Sequence, residues 1–179
     1  MRRVFTSAAI PIEVDIGCGK GRFLIARARA HPDTRFLGID RLPRRMAKLD
    51  ARVRRHGLRN VRLLLSEASL AVERLLPAAS VSVFYLFFPD PWPKRRHHRR
   101  RLCGPGFLDS VHRALAPDGQ IHIATDHEGY FEAMRALFAN DPRFTPLPPF
   151  EPSEEERTDF EVIFLGQGAR IGRASFRRK

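Results

Sequence analysis

The segment IEVDIGCGKG, Ile12 to Gly21, joins a short apolar run to three glycines at alternate positions, Gly17, Gly19 and Gly21. β-branched residues alternating with acids predict a strand, and the glycines predict a tight turn that opens a helix at about Arg22. A strand passing through a glycine turn into a helix is half of a βαβ unit. Outward from it, RFLGID (Arg35 to Asp40), VRLLL (Val61 to Leu65), VSVFYLFF (Val81 to Phe88) and QIHIATD (Gln120 to Asp126) read as further strands. Between them Leu42, Met46, Leu49 and Val53 repeat at helical spacing, with Gly57 as the stop. Leu108, Val111 and Leu115 mark another helix, and Phe131, Met134 and Phe138 a third. Strands alternating with helices predict an α/β protein with a doubly wound, mostly parallel sheet and helices on both faces. After Asn140, Pro142, Pro146, Pro148 and Pro149 predict a loop. FEVIFL (Phe160 to Leu165) and RASF (Arg173 to Phe176) then read as strands pairing antiparallel at the sheet edge. With 179 residues, 43% of them hydrophobic, the chain fits one domain, 1–179, with a single core.

The glycine spacing carries chemistry as well as shape. A dinucleotide fingerprint G-x-G-x-x-G would place its third glycine at position 22, which is Arg22. The alternating form is the one used by enzymes of S-adenosylmethionine (SAM). Gly17, Gly19 and Gly21 would let the backbone approach the methionine moiety, whose carboxylate suits a helix N-terminus. Asp15 would attract its ammonium group. Asp40 ends the second strand, where a carboxylate can accept from both ribose hydroxyls, and Glu67 follows the third, within reach of an adenine amino group.

Composition points to a polyanion. The 32 lysines and arginines outnumber the 20 acids, giving a formal charge of +12, and such a field favours nucleic acid. Arg41, Arg44, Arg45, Lys48, Arg52 and Arg55 fall on the polar side of the second helix, a pattern read first as a solvated face. Two cysteines, Cys18 and Cys103, cannot form a disulfide framework. No apolar run is long enough to span a membrane. Near the N-terminus Pro11, Glu13 and Asp15 interrupt any signal-peptide core, so a soluble cytoplasmic protein is expected. The seven histidines show no recognised ligand spacing, so no metal is expected.

The second decisive stretch is FFPDPWPKRRHHRRR, Phe87 to Arg101. An apolar strand delivers Asp90 to the carboxyl edge of the sheet, where open α/β sheets bind ligands. Pro89 and Pro91 stiffen the turn around it. Trp92 can stack on a base or pack the loop onto the body. Of the eight residues Lys94 to Arg101 six are cationic, and the other two are His97 and His98. Such a run suits RNA phosphates.

Taken with DIGCGKG, FLGID, ATD (Ala124 to Asp126) and TDFE (Thr158 to Glu161), PDPWPKRRHHRRR resembles the tRNA (guanine-N7)-methyltransferase family, which modifies guanine in the tRNA variable loop. The likeness runs in order from about Ile12 to the C-terminus. It implies a seven-stranded class I methyltransferase sheet, SAM as cofactor and tRNA as partner, in a monomer or homodimer. It places the SAM-binding acids on Asp15, Asp40 and Glu67, and the catalytic aspartate on Asp90. Substrate contacts fall on Lys94, Asp126, Thr158, Asp159, Phe160 and Glu161, and RNA contacts on Arg96, His97, His98, Arg99, Arg100 and Arg101. Asp15 stands where the family usually has Glu, Glu67 where it usually has Asp, and Pro93 where His is frequent. Two other readings remain open. One is an amino-group methyltransferase, whose D/N-P-P-Y/F/W turn has a proline more than Asp90-Pro91-Trp92. The other is a non-enzymatic basic RNA-binding domain.

Overall fold

A computed structural model describes residues 12–179, so the reading of the first eleven residues lies outside the described part. Seven strands form one sheet in the order β3-β2-β1-β4-β5-β7-β6. They are β1 (Ile12–Ile16), β2 (Arg35–Asp40), β3 (Val61–Leu65), β4 (Val81–Phe87), β5 (Leu115–Thr125), β6 (Phe144–Leu147) and β7 (Gly172–Arg178). The first five run parallel, and β7 lies antiparallel to both β5 and β6. The helices are α1 (Arg22–Ala30), α2 (Pro43–Arg55), the single turn α3 (Ala68–Leu70), α4 (Pro105–Ala114), α5 (Glu128–Ala139) and α6 (Asp159–Gly166). The chain order β1-α1-β2-α2-β3 moves the sheet outward in one direction, and β4 returns to the other side of β1. That reversal leaves a crevice at the carboxyl ends of β1 and β4.

Side chains alternate between the two faces because the strand repeat is two residues. Val14, Ile16, Leu37, Ile39, Phe84, Leu86, Ile121 and Ile123 form one buried layer with α4 and α5. Phe36, Tyr85, Phe87 and Ala124 point the other way, towards α1 and α2. None of the described helices is long and apolar enough to cross a membrane.

Two expectations fail in the C-terminal third. FEVIFL is helical: it makes up most of α6, whose N-cap Thr158 accepts a hydrogen bond from the Glu161 backbone N–H at 3.0 Å. Thr158-x-x-Glu161 is a capping-box pattern, and it outweighs the β propensity of Val162 and Ile163. The partner of β7 is instead β6, drawn from the proline-punctuated stretch expected to be a loop. Pro146 is tolerated there because β6 is the edge strand. Strand β5 also begins five residues earlier than expected, at Leu115, so α4 stops at Ala114.

Gly21 shows how closely the glycine turn is packed. Its φ is +73°, and a Cβ added there would meet Leu49 Cδ1 at 2.2 Å. Gly21→Ala is expected to cost about 3 kcal/mol through left-handed strain and overpacking, lowering Tm by roughly 6–12 °C in a thermal melt. A variant with an unchanged Tm would show that Leu49 yields freely.

Candidate active site

The glycine turn is fastened to β2 before it meets any ligand. The Gly17 and Cys18 N–H groups both donate to the Ile39 carbonyl, at 2.8 and 3.0 Å. Asp40, buried at the end of β2, accepts from the Gly19 N–H at 3.1 Å through one carboxylate oxygen and from the Leu42 N–H at 2.8 Å through the other. Asp40 therefore orders the loop, and its remaining lone pairs stay open to a hydroxyl. Helix α1 has no side-chain cap, so the amide groups of its first turn are free for an anion.

A pocket opens beside this turn, lined by Asp15, Gly17, Gly19, Phe87, Thr158 and Phe160 among others. Gly21 is not among its lining residues; its missing side chain accommodates Leu49 instead. Asp15 is 6% exposed, and none of the described hydrogen bonds reaches its carboxylate. Burial first, and the neighbouring Asp40 second, push its carboxyl up to about 7. A buried carboxyl with no donor among the described residues, next to an uncapped helix end, fits the ammonium and carboxylate of an amino-acid moiety. These residues accordingly suit the amino-acid end of SAM.

The remaining acids stand at the same edge of the sheet. Glu67, Asp90 and Asp126 are exposed and follow β3, β4 and β5 respectively. Arg41, directly after β2, places its guanidinium 3.7 Å from Glu67 and 4.0 Å from Asp90, so both acids open on one mouth. The sequence places Arg41 only among the cations of a solvated helix face; its bridging role was not legible because only its length lets it cross from β2 to β4. Arg45, 3.9 Å from Asp40, also lines the pocket.

The turn that carries Asp90 is braced on both sides. Phe88 and Trp92 have φ of +52° and +42°, conformations that bulky residues rarely adopt. The Phe88 N–H donates to the Ala124 carbonyl at 2.7 Å, and its ring lies 5.7 Å from Phe164 of α6. Trp92 is half-buried, with the Arg100 guanidinium 4.9 Å above its ring and His97 edge-on at 5.8 Å. It thus mounts the basic run, which folds as a 3₁₀ turn, Arg95–Arg100. Lys94, Arg95, Arg96, His98, Arg99 and Arg100 are exposed, whereas Arg101 is half-buried. Arg101 donates to the Pro91 carbonyl at 2.8 Å and lies 4.6 Å from the Tyr130 ring centre, which makes it an anchor of the turn.

The stretch Thr158 to Glu161 divides in the same way. Thr158, Asp159 and Phe160 line the pocket, while Glu161 is 1% exposed and ion-paired with Arg173 of β7, fixing α6 to the sheet. The segment ahead of α6 is held by Arg27 of α1. That arginine donates to Glu156 at 3.2 Å and to the Tyr85 hydroxyl at 3.1 Å, and Tyr85 donates to Glu13 at 2.7 Å. This buried relay carries no motif and was invisible in the sequence. His122, 2.8 Å from the Ser175 hydroxyl and stacked on Phe150, is a packing residue. Among the described residues no group of three or more His, Cys, Asp or Glu side chains could hold a metal ion.

Crevice, alternating glycines and strand-end acids together define a class I SAM-dependent methyltransferase. The methyltransferase family model Methyltransf_4 matches residues 9–165. The chain is 37% identical over 166 residues to the tRNA (guanine-N(7)-)-methyltransferase of Nitrosococcus oceani, covering 92% of this chain and 70% of that one. It is 39% identical over 171 residues to the protein of the same name from Leifsonia xyli subsp. xyli, covering 93% and 74%. It belongs to the tRNA (guanine-N7)-methyltransferase family. Among solved structures, the 16S rRNA methyltransferase KamB shares its fold, with a TM-score of 0.67 at 18% identity over 96% of this chain and 88% of that one.

Proposed function

We propose that the chain transfers the methyl group of SAM to N7 of a guanine in tRNA, in the variable loop, as a cytoplasmic enzyme. The observation that carries this reading is the shared mouth: the pocket at Asp15 and the turn at Asp90 open on one sheet edge, with Arg41 reaching from β2 to both Glu67 and Asp90. The names of the relatives, said of those proteins, support the choice of tRNA and of N7.

When bound, SAM supplies an electrophilic methyl group on a sulfonium. Asp15 would hold the ammonium, the α1 amides the carboxylate, Asp40 the ribose and Glu67 the adenine. Guanine N7 already carries a lone pair, so no side chain has to remove a proton from it. The task left to the protein is alignment and charge. Asp90 would accept from N1–H and N2–H of guanine, donors that adenine does not present in that pattern. Asp90 and Asp126 would also offset the positive charge that the methylated ring acquires. Lys94, Thr158, Asp159 and Phe160 would frame the substrate.

Incubating the chain with unmodified tRNA and methyl-labelled SAM, then mapping the labelled atom, tests this directly. 7-Methylguanosine is the expected product. Label on an exocyclic amino group would favour the amino-group enzyme, and RNA binding without SAM binding would favour the non-enzymatic domain.

The exposed cations make a separate prediction. Replacing Arg96, Arg99 and Arg100 together by Gln should weaken tRNA binding about tenfold or more and reduce the slope of log K against log salt by about 2–3. Arg101→Gln should instead lower Tm, because that guanidinium holds the turn. A salt titration in which the triple variant keeps the wild-type slope would assign the run to solvent.

A further inference from the structure

Helix α2 carries a charge pattern that neither the fold nor the cofactor site uses. At 100° per residue, Arg44, Arg45, Lys48, Arg52 and Arg55, with Arg41 just ahead of the helix, fall within an arc of about 100°. The buried stripe of Met46, Leu49 and Val53 lies beside this arc, and the one acid of the helix, Asp50, lies outside it, paired with Arg54 at 2.9 Å. Arg44, Lys48 and Arg55 are exposed and have no ion-pair partner among the described residues.

Nothing within the protein favours this arrangement. The first turn of α2 holds Arg44 and Arg45 and no acid, which opposes the positive end of the helix dipole. Arg44 and Lys48, and again Lys48 and Arg52, are like-charge pairs at i,i+4, each of which destabilises a helix. An ordinary solvated face would intersperse acids. Of the five helical cations on the arc, only Arg45, near Asp40, has an acidic partner among the described residues.

Position supplies the rest. The arc starts at Arg41, which touches Glu67 and Asp90 at the mouth, and continues past Arg52, whose guanidinium donates to the Lys20 carbonyl of the glycine turn. From there it follows a helix about 20 Å long. The other basic element, the Arg95–Arg100 turn, follows β4, whereas α2 follows β2, and these two strands flank β1. The mouth therefore lies between two cationic elements.

We propose that this face of α2 is a second phosphate-contacting surface for the RNA substrate, gripping the strand on the side of the mouth away from the Arg95–Arg100 turn. The inference rests on the tRNA reading above. Phosphates laid along the arc relieve its self-repulsion and satisfy the free N–H groups of Arg44, Lys48 and Arg55.

The test is the full chain with Arg44, Lys48 and Arg55 all changed to Gln, none of which lines the cofactor pocket. Fluorescence anisotropy with labelled full-length tRNA across a salt series should show about a tenfold or greater rise in Kd and a slope of log K against log salt lower by about 2–3. KM for tRNA should rise while kcat and the calorimetric Kd for SAM stay at wild-type values. Equal affinity and equal slope in the two proteins would overturn the proposal. Should the triple variant misfold by circular dichroism, the pair Arg44→Gln with Lys48→Gln is read by the same criteria, with a slope change of about 1–2. If wild-type protein itself fails to methylate tRNA, the functional reading falls. If it methylates tRNA and the variant matches it in KM and salt slope, only the role of α2 falls.

Discussion

Asp90→Ala is expected to reduce methyl transfer to tRNA by about 10³-fold or more while leaving the Kd for SAM within about twofold. The separation follows from position: Asp90 is exposed at the end of β4, whereas the cofactor pocket is built on the glycine turn and Phe87. Its one described ion-pair contact is Arg41 at 4.0 Å, so removing it leaves the turn held by Phe88 and by Arg101. Asp90→Asn preserves shape but replaces an acceptor-only group with a mixed one, and should lose most of the same activity. Single-turnover kinetics with saturating SAM would check both variants. Turnover near wild type for Asp90→Ala would remove the carboxylate from the reaction.

The second large effect concerns Asp15. Its carboxyl is raised to about 7 by burial and by Asp40, so below that pH the cofactor must bind a site that is mostly protonated. SAM affinity should fall roughly tenfold for each pH unit below about 7 and be level above about 8. Asp15→Asn should abolish this dependence and weaken SAM binding by roughly 100-fold. The same shift affects stability. Folding raises this pKa from 3.8, so the native state holds its proton more tightly than the unfolded chain does. The resulting stabilisation is full below about 3.8 and is lost as pH rises to about 7. Asp15→Asn should therefore melt at a higher temperature than wild type at pH 8. Calorimetric SAM titrations from pH 6 to about 8.5 that give one constant Kd would refute the assignment.

How much of this was legible in the sequence depended on whether the signal was local. The bounds of β1, β2 and β3 follow directly from IEVDI, RFLGID and VRLLL, because apolar runs closed by glycine turns or strand-end acids admit little else. The C-terminal region misled because composition and capping conflict there. Val162 and Ile163 suggest a strand, but Thr158 and Glu161 close the first helical turn. Within the site, Asp15, Gly17 and Gly19 line the pocket at the spacing that predicted them. Gly21, Glu161 and Arg101 share the motifs but are engaged by Leu49, Arg173 and the Pro91 carbonyl, since a motif fixes order along the chain and not the direction of a side chain. The contacts of Arg41 and the relay of Arg27, Tyr85, Glu13 and Glu156 could not be seen at all, because each joins elements separate in sequence.

The double duty proposed for Asp40 has a practical corollary for redesign. Because both of its oxygens already tether backbone amides of Gly19 and Leu42, any attempt to retune cofactor preference at that position would dismantle the loop along with the selectivity. Glu67, exposed and touched by a single guanidinium, is the place where an altered nucleobase or a bulkier donor analogue could be accommodated without disturbing the scaffold.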